Sequence, residues 1–363
     1  MPRSSALSNK PTVLVAMSGG VDSSVVAGIL KRRGYDIIGV TMQIWQESTK
    51  DPRHSGCCSL GAVEDARRVA RILGIPHYVI NYKEKFRETV IDYFINEYEA
   101  GRTPNPCVEC NRKVKFEALL QTMHDLGCDK LATGHYARVR KTADGHHRLL
   151  RAKEGGKDQS YVLYMLGQEQ LSRVMFPLGE LGSKAETRQM AVEMGLPVAH
   201  KPDSQEICFV SEAGGYREFL KKERPEMFQE GEIVTSDGKK ITDHAGVAGY
   251  TVGQRKGIGV TLPGARPLFV LKLEPKNNRV VVGHEEDLLA TEVRLEDLVW
   301  NLGDQESARV MAKIRYNMEP APATLFGGDE PRLVFDTPVR AVTPGQIAVA
   351  YRGQTVAAGG RIR

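Results

Sequence analysis

The stretch Thr12-Val13-Leu14-Val15-Ala16-Met17-Ser18-Gly19-Gly20-Val21-Asp22-Ser23 decides the fold. Its first half, Thr12 to Met17, is a short apolar run rich in β-branched residues and reads as a buried strand. Two glycines then turn the chain, and Asp22 to Arg33 carries helical periodicity that stops at Gly34. A strand that turns through glycine into a helix aims the free N–H groups of the helix start, and the positive end of its dipole, at whatever sits in the turn. An anion suits that place, and Ser18 and Ser23 add hydroxyl donors. Asp22 would repel a phosphate unless a cation lies between them, so it is assigned to Mg²⁺ held through phosphate. No lysine follows in the GxxxxGK[ST] manner, which excludes the phosphate loop of kinases and GTPases.

Outward from this turn the same grammar repeats. Asp36 to Gln43, His77 to Asn81 and Lys130 to Thr133 read as strands; Ala62 to Leu73, Lys83 to Glu99 and Asn111 to Leu126 read as helices. Such alternation predicts a parallel sheet covered by helices on both faces. Ser183 with Glu186 three residues on marks a capping box for a helix ending at Gly195. Beyond about residue 215 the pattern changes. Asp237-Gly238 marks a hairpin turn, and Arg279 to Val282, Arg309 to Tyr316, Arg332 to Phe335 and Gln346 to Tyr351 are short strand-like runs. The expected architecture is α/β: a nucleotide-binding domain over residues 1–215, a small central linking module over 216–284, and a C-terminal β-barrel over 285–363.

With 363 residues, 41% hydrophobic and 26% charged, the chain can bury several cores and is not a disordered protein. No run approaches the roughly 18 apolar residues of a membrane span, and Met1 to Lys10 lacks the apolar core of a secretory signal. A cytoplasmic address is therefore expected. The net charge of +5 permits a nucleic-acid partner without demanding one.

Six cysteines, Cys57, Cys58, Cys107, Cys110, Cys128 and Cys208, do not form a disulfide framework in a reducing compartment. Cys107-Val108-Glu109-Cys110 follows the stiff loop Thr103-Pro104-Asn105-Pro106 and precedes a helix, where thiols gain thiolate character. Buried thiols, a zinc site and sulfur chemistry between two thiols that meet across the fold are all open to these residues.

The hexapeptide Ser18 to Ser23 resembles the PP-loop of ATP pyrophosphatases, the adenine nucleotide α-hydrolase-like class. Together with Gly101 to Pro106, Cys110-Asn111-Arg112, Gly134-His135-Tyr136-Ala137-Arg138, Lys157 to Tyr161, Asp203-Ser204, Ile207-Cys208-Phe209, Tyr250 to Gly257, Arg315-Tyr316 and Thr343 to Gln346, the chain resembles the bacterial tRNA-specific 2-thiouridylases. The likeness runs from the loop almost to the C-terminus.

That resemblance implies an ATP-dependent sulfurtransferase that converts the wobble uridine (position 34) of tRNAs for Lys, Glu and Gln to 2-thiouridine. ATP adenylates uridine O2, and sulfur then displaces AMP. Cys208 matches the family's persulfide carrier and Cys110 its nucleophile. Ala16, Met17, Ser18, Gly19, Gly20, Val21, Asp22, Ser23, Met42 and Gly134 fall to the nucleotide. Asn105, Pro106, Cys107, His135, Lys157, Asp158, Gln159, Arg315, Tyr316 and Gln346 fall to the anticodon stem-loop of the tRNA. A cysteine desulfurase or relay protein would deliver the sulfur. The family's usual Asp is Cys107 here, so its acid/base role does not carry over, and Cys107, Cys110 and Cys208 could together hold a [4Fe–4S] cluster. The persulfide route is the one expected. The rival readings are another PP-loop enzyme, such as an amidating ligase, and a non-catalytic RNA-binding protein with structural zinc. Among the tRNA contacts, Lys157 and Asp158 also suit a solvated turn, His135 an internally satisfied histidine, Arg315-Tyr316 a barrel rim, and Gly253 to Gly257 a phosphate-contacting loop or a simple hairpin.

Overall fold

Strand β1, Thr12–Ala16, is apolar on both faces because it lies in the middle of a fully parallel sheet. The computed structural model describes residues 10–45, 60–203, 207–259, 266–303 and 306–363. Cys57, Cys58 and Ser204 lie outside the described residues. The chain packs as two units, Met1–Val90 with Cys107–Glu212, and Ile91–Pro106 with Ala213–Arg363.

In the first unit, β2 (Asp36–Gln43), β3 (His77–Asn81), β4 (Lys130–Ala132) and β7 (Val174–Met175) join β1 in the order β3-β2-β1-β4-β7. Every pairing is parallel. The chain therefore leaves β1 toward β2 and β3, then returns to β1's other side through β4. Ligands of such sheets bind in the crevice beyond the carboxyl ends of the strands where this reversal occurs. The turn 18–23 follows β1 and Gly134 follows β4, so both lie at that edge. Helix α1 (Val21–Arg32) buries Val25, Val26 and Leu30 against β1, and α2 (Leu60–Leu73) packs beside it. A hairpin of β5 (Ala137–Lys141) and β6 (His147–Arg151) follows β4. Its strands are too basic to read as strands from pattern alone.

Two helices depart from regular α geometry. Arg87–Ile91 and Cys110–Ala118 wind as π-helix, a form that recurs at functional sites because it re-aims side chains. The helix expected to begin at Asn111 starts earlier, at Pro106, where a proline at the first helical position leaves no donor unmet. Cys107 therefore sits inside the first turn and not ahead of it.

In the second unit, β8 (Gly231–Thr235), β9 (Lys240–His244), β10 (Phe269–Glu274) and β11 (Arg279–Gly283) form a sheet in the order β10-β11-β8-β9. The Asp237-Gly238 turn joins β8 to β9 as expected, with Gly238 at φ 86°. The basic segment 253–257 is a tied turn and not a hairpin: Gly253 N–H donates to Val270 O, and Gln254 O accepts from Val270 N–H.

The barrel closes from β12 (Leu289–Trp300), β13 (Ser307–Lys313), β14 (Ala321–Phe326), β15 (Arg332–Arg340), β16 (Ile347–Arg352) and β17 (Thr355–Ile362). Its order is β12-β15-β14-β13-β16-β17, with β12 pairing β17 to complete the ring. One strand can serve both neighbours because it bends. The front of β12 pairs β15 and its rear pairs β17, with an irregularity between Glu296 and Val299 and Asp297 at φ 52°. The parallel-sheet domain, small central sheet and C-terminal barrel are thus the architecture expected.

The helix Lys184–Glu193 has Ser183 as its cap, whose Oγ accepts from Glu186 N–H at 3.1 Å. The reciprocal arm reaches one residue further than in a standard capping box: Glu186 Oε2 accepts from Gly182 N–H at 2.8 Å. Replacing Ser183 by Ala should cost about 1 kcal/mol of stability, measured by urea unfolding, with Ser183→Asp largely restoring it.

Candidate active site

The turn after β1 is held open from within. Ser18 N–H donates to Ser23 Oγ at 3.1 Å, the two hydroxyl oxygens lie 3.3 Å apart, and Ser24 Oγ donates to Gly20 O at 2.8 Å. Gly20 caps α1 with no side-chain bond, so the N–H groups of the first turn are not consumed by a capping side chain. Gly19 is obligatory. Its φ is +68°, and a Cβ there would lie 2.1 Å from Ala62 O. Gly134 is also constrained, since a Cβ would meet Ser23 N at 3.0 Å and Asp22 Cβ at 3.1 Å. Met17 is fixed through its backbone, its N–H to Val40 O at 2.7 Å and its O from Thr41 Oγ1 at 2.7 Å. Ala16 and Met42 are half-buried at the ends of β1 and β2, and Val21 is buried.

Asp22 has a cation from the chain itself. Lys184 Nζ lies 2.6 and 2.7 Å from its two carboxylate oxygens, and the Tyr136 hydroxyl donates to Oδ1 at 2.9 Å. The same ammonium lies 2.9 Å from Asp203 Oδ1. One lysine, 13% exposed, therefore bridges two carboxylates that are distant in sequence. Asp203 is also paired with Arg188 at 3.2 Å and with Lys157 at 3.4 Å. Burial alone would raise the Asp203 carboxyl, but the hydrogen bonds and charges of Lys184 and Lys157 outweigh it and hold the group below its ordinary value. Burial first, then the charge of Asp22, pushes the Tyr136 phenol far up, so it stays a donor.

Other expected residues brace this cluster. Gln159 Oε1 accepts from Tyr136 N–H at 2.9 Å, and Gln159 N–H donates to Tyr136 O at 2.8 Å. Asp158 is not part of a solvated turn. Its carboxylate, 7% exposed, accepts from Arg151 Nε, Ala152 N–H, Ser160 N–H and Ser160 Oγ, all between 2.9 and 3.1 Å. His135 is half-buried, hydrogen-bonded through Nδ1 to Thr133 Oγ1 at 2.7 Å and ringed by Phe116 and Phe176. Burial, with Lys115 nearby, keeps it neutral at pH 7.

The cysteines divide by exposure: Cys107 exposed, Cys208 half-exposed, Cys110 and Cys128 buried. Burial followed by the charge of Asp129 raises the Cys128 thiol, the state of an inert core cysteine. Phe209, next to Cys208, packs on Phe86 with ring centres 5.8 Å apart. Phe86 ends a helix, Lys83–Phe86, that packs against the π-helical stretch beginning at Cys110. Both thiol-bearing stretches thus share one neighbour. Asn111 anchors the second of them through Nδ2 to Val162 O at 2.9 Å.

In the other unit, Gln346 Nε2 donates to Thr103 O at 2.9 Å, and Thr103 N–H donates to Pro344 O at 2.8 Å. Gln346 therefore shapes the loop that carries Asn105 and Pro106. Arg315 and Tyr316 lie in the turn after β13, beyond the strand they were expected to end. Arg315 Nη2 donates to Arg340 O, and Tyr316 is 41% exposed with Lys313 Nζ 5.5 Å from its ring centre.

Sequence reasoning missed Lys184. Its partners lie 162 and 19 residues away, so no local spacing reveals it. A signal existed, however. A lysine directly after an N-cap serine faces the positive end of the helix dipole, a place cations avoid unless tertiary carboxylates hold them there.

Three family models match in order: a tRNA methyl transferase HUP domain over residues 11–212, a tRNA methyl transferase PRC-barrel domain over 217–284 and an aminomethyltransferase β-barrel domain over 290–362. Among curated proteins, the chain is 49% identical over 360 residues to a tRNA-specific 2-thiouridylase MnmA of Heliobacterium modesticaldum, covering 97% of this chain and 92% of that protein. It is 47% identical over 355 residues to the protein of the same name from Clostridioides difficile, covering 96% and 97%. Among solved structures it is similar to a 4-thiouridine synthetase in complex with RNA and ATP, at 20% identity over 55% of this chain and 45% of that one, with a TM-score of 0.34.

The charge cluster sets a pH dependence. A carboxyl held below its ordinary value of 3.8 stabilises the fold above that pH and loses the contribution as pH falls through its folded value. Asp203→Asn should lower stability by about 1–2 kcal/mol at pH 7, and the gap to the wild type should shrink below about pH 4 in urea unfolding. With its charge cluster and its full-length likenesses in view, the chain belongs to the tRNA-specific 2-thiouridylase family.

Proposed function

We propose that the chain is an ATP-dependent sulfurtransferase that converts the wobble uridine of tRNA to 2-thiouridine, with release of AMP and pyrophosphate. The observation that carries this reading is the joining of the phosphate turn to the segment before Cys208. Lys184 links Asp22 to Asp203, while Lys201 Nζ donates to Gly19 O at 3.1 Å and to Asp65 Oδ2 at 2.8 Å. An amidating ligase has use for the turn but none for the two thiols of Cys110 and Cys208.

ATP fits with its phosphates on the N–H groups at the start of α1 and its adenine at the strand ends bearing Met42 and Gly134. Ala16, Met17 and Val21 lie along the same edge. Uridine O2 attacks the α-phosphorus, the bond to the β-phosphate breaks, and pyrophosphate leaves. The oriented N–H groups meet the charge that grows there without having to reorganise. Adenylation turns a poor leaving group into AMP. Cys110 thiolate then attacks the Cys208 sulfur of a persulfide, a disulfide forms, and the terminal sulfur departs as sulfide and attacks C2, expelling AMP. An external dithiol resets the disulfide, and a desulfurase or relay protein reloads Cys208.

Mg²⁺ suits the turn through the ATP phosphates, with Asp22 as its protein carboxylate, and would neutralise phosphate charge there. No three His, Cys, Asp or Glu side chains among the described residues are gathered as metal ligands. The persulfide route needs only Cys110 and Cys208 and no iron–sulfur cluster. Asn105, Pro106, Cys107, His135, Arg315 and Tyr316 are the proposed tRNA contacts, with Tyr316 offering an exposed ring for stacking. Lys157, Asp158, Gln159 and Gln346 serve the tRNA by holding the elements around it.

Mass analysis of tRNA nucleosides after incubation with ATP, Mg²⁺ and a persulfide donor tests the reading. Protein purified anaerobically without iron should form 2-thiouridine, and Cys110→Ser, Cys208→Ser and Asp22→Asn should each reduce it to background. Full yield from Cys110→Ser would contradict the sulfur route.

A further inference from the structure

The persulfide route leaves Cys107 without a chemical task. It lies three residues before Cys110, and the chain between them is helical: Pro106–Glu109 is α-helix, Glu109 keeps right-handed helical dihedrals, and Cys110 opens the π-helical stretch. Residues three apart on a helix are surface neighbours, with Cβ atoms about 5–6 Å apart, a small local closure away from the span of a disulfide. The two thiols differ in access. Cys107 is exposed, whereas Cys110 is buried at 8% exposure, between Val108 at 0% and Asn111 at 2%. Asn111 is tied to Val162 O at 2.9 Å, so Cys110 sits on a fixed stretch of backbone. The pair straddles the border between the interior and the surface.

Thiolation leaves Cys110 joined to Cys208, and that disulfide has to be opened before Cys208 can be reloaded. Exchange depends on which sulfur can be reached. Cys110 is closed to a large reductant, and Cys208, half-exposed by itself, is drawn against it by the bond. Cys107 needs no entry from outside, since a tethered thiol reacts at a far higher effective concentration than a dissolved one.

We propose that Cys107 is a resolving thiol. Its thiolate attacks Cys110 Sγ, the Cys110–Cys208 bond breaks, and Cys208 leaves as thiolate with the electron pair. The disulfide now joins Cys107 to Cys110, with one sulfur at the surface. A protein dithiol of the thioredoxin class attacks Cys107 Sγ, and Cys110 departs as thiolate. The dithiol's second thiol then closes its own disulfide and releases Cys107. The dithiol is oxidised by two electrons, and its two protons end on Cys107 and Cys110. The proposal rests on the persulfide reading and adds the step that returns the enzyme to its starting state. Contact of Cys107 with the target base belongs to the earlier, thiolating half of the cycle.

The test follows the disulfide through one turnover of the full-length protein. Cys208 is loaded with a persulfide donor, the excess is removed, and ATP, Mg²⁺ and tRNA are added without reductant. The protein is then alkylated, digested with trypsin and read by mass spectrometry. One tryptic peptide, residues 103–112, carries both Cys107 and Cys110. In the wild type it should lack two hydrogens in proportion to the 2-thiouridine formed, with Cys208 alkylated. Cys107→Ser should instead give that peptide cross-linked to the peptide of Cys208, again in proportion to product. With reduced thioredoxin the variant should stop after about one product per chain, while the wild type continues. Dithiothreitol, small enough to reach the inner sulfurs, should restart the variant, which a fold defect would not allow. Wild-type protein that ends with Cys110 cross-linked to Cys208 overturns the resolving role alone, as does a Cys107→Ser that turns over with thioredoxin at the wild-type rate. The wild-type peptide decides even where the variant is slow. Wild-type protein that forms no 2-thiouridine overturns the functional reading and the resolving step with it.

Discussion

A single ammonium between two carboxylates organises the first unit. Lys184 joins the residue that follows the glycine turn to a residue five places before Cys208, and both junctions are shorter than 3 Å. Removing either carboxylate leaves the lysine paired; removing the lysine takes from Asp22 its ammonium partner, while Asp203 keeps Arg188 and Lys157. Tyr136, Thr187 and Gln159 complete the arrangement by satisfying the remaining polar atoms around it. Much of what looks like a scatter of polar motifs along the chain is one connected network seen at different sequence positions.

This view changes what several residues do. Asp158 and Gln346 would be natural guesses for direct RNA contact, yet each is occupied within its own unit. Asp158 closes the turn after β6, and Gln346 holds the backbone of the loop at Thr103. Tyr316 differs in kind: its ring is 41% exposed, with the Lys313 ammonium beside it.

The strands and helices around the phosphate turn were legible because their signals are local. Continuous apolar runs mark strands buried on both faces, glycine marks the turn, and Ser183 marks a helix start. The barrel was legible only in part. Strand β17, Thr-Val-Ala-Ala-Gly-Gly-Arg-Ile, lacks the bulky β-branched run of a typical strand because its small residues pack where bulk has no room. Strand β12 carries a bulge that breaks its alternation. Within the site, glycines and cysteines announced themselves by type, whereas Lys184 did not, since an ion pair spanning 162 residues leaves no periodic trace.

A double-mutant cycle between Asp22→Asn and Asp203→Asn, read by urea unfolding at pH 7, tests the shared ammonium most directly. Each single variant leaves Lys184 one counter-charge, while the double variant leaves it none. The double variant should therefore lose about 1 kcal/mol or more beyond the sum of the singles. Additivity to within about 0.3–0.5 kcal/mol would mean that the two carboxylates are independent and that no such link exists.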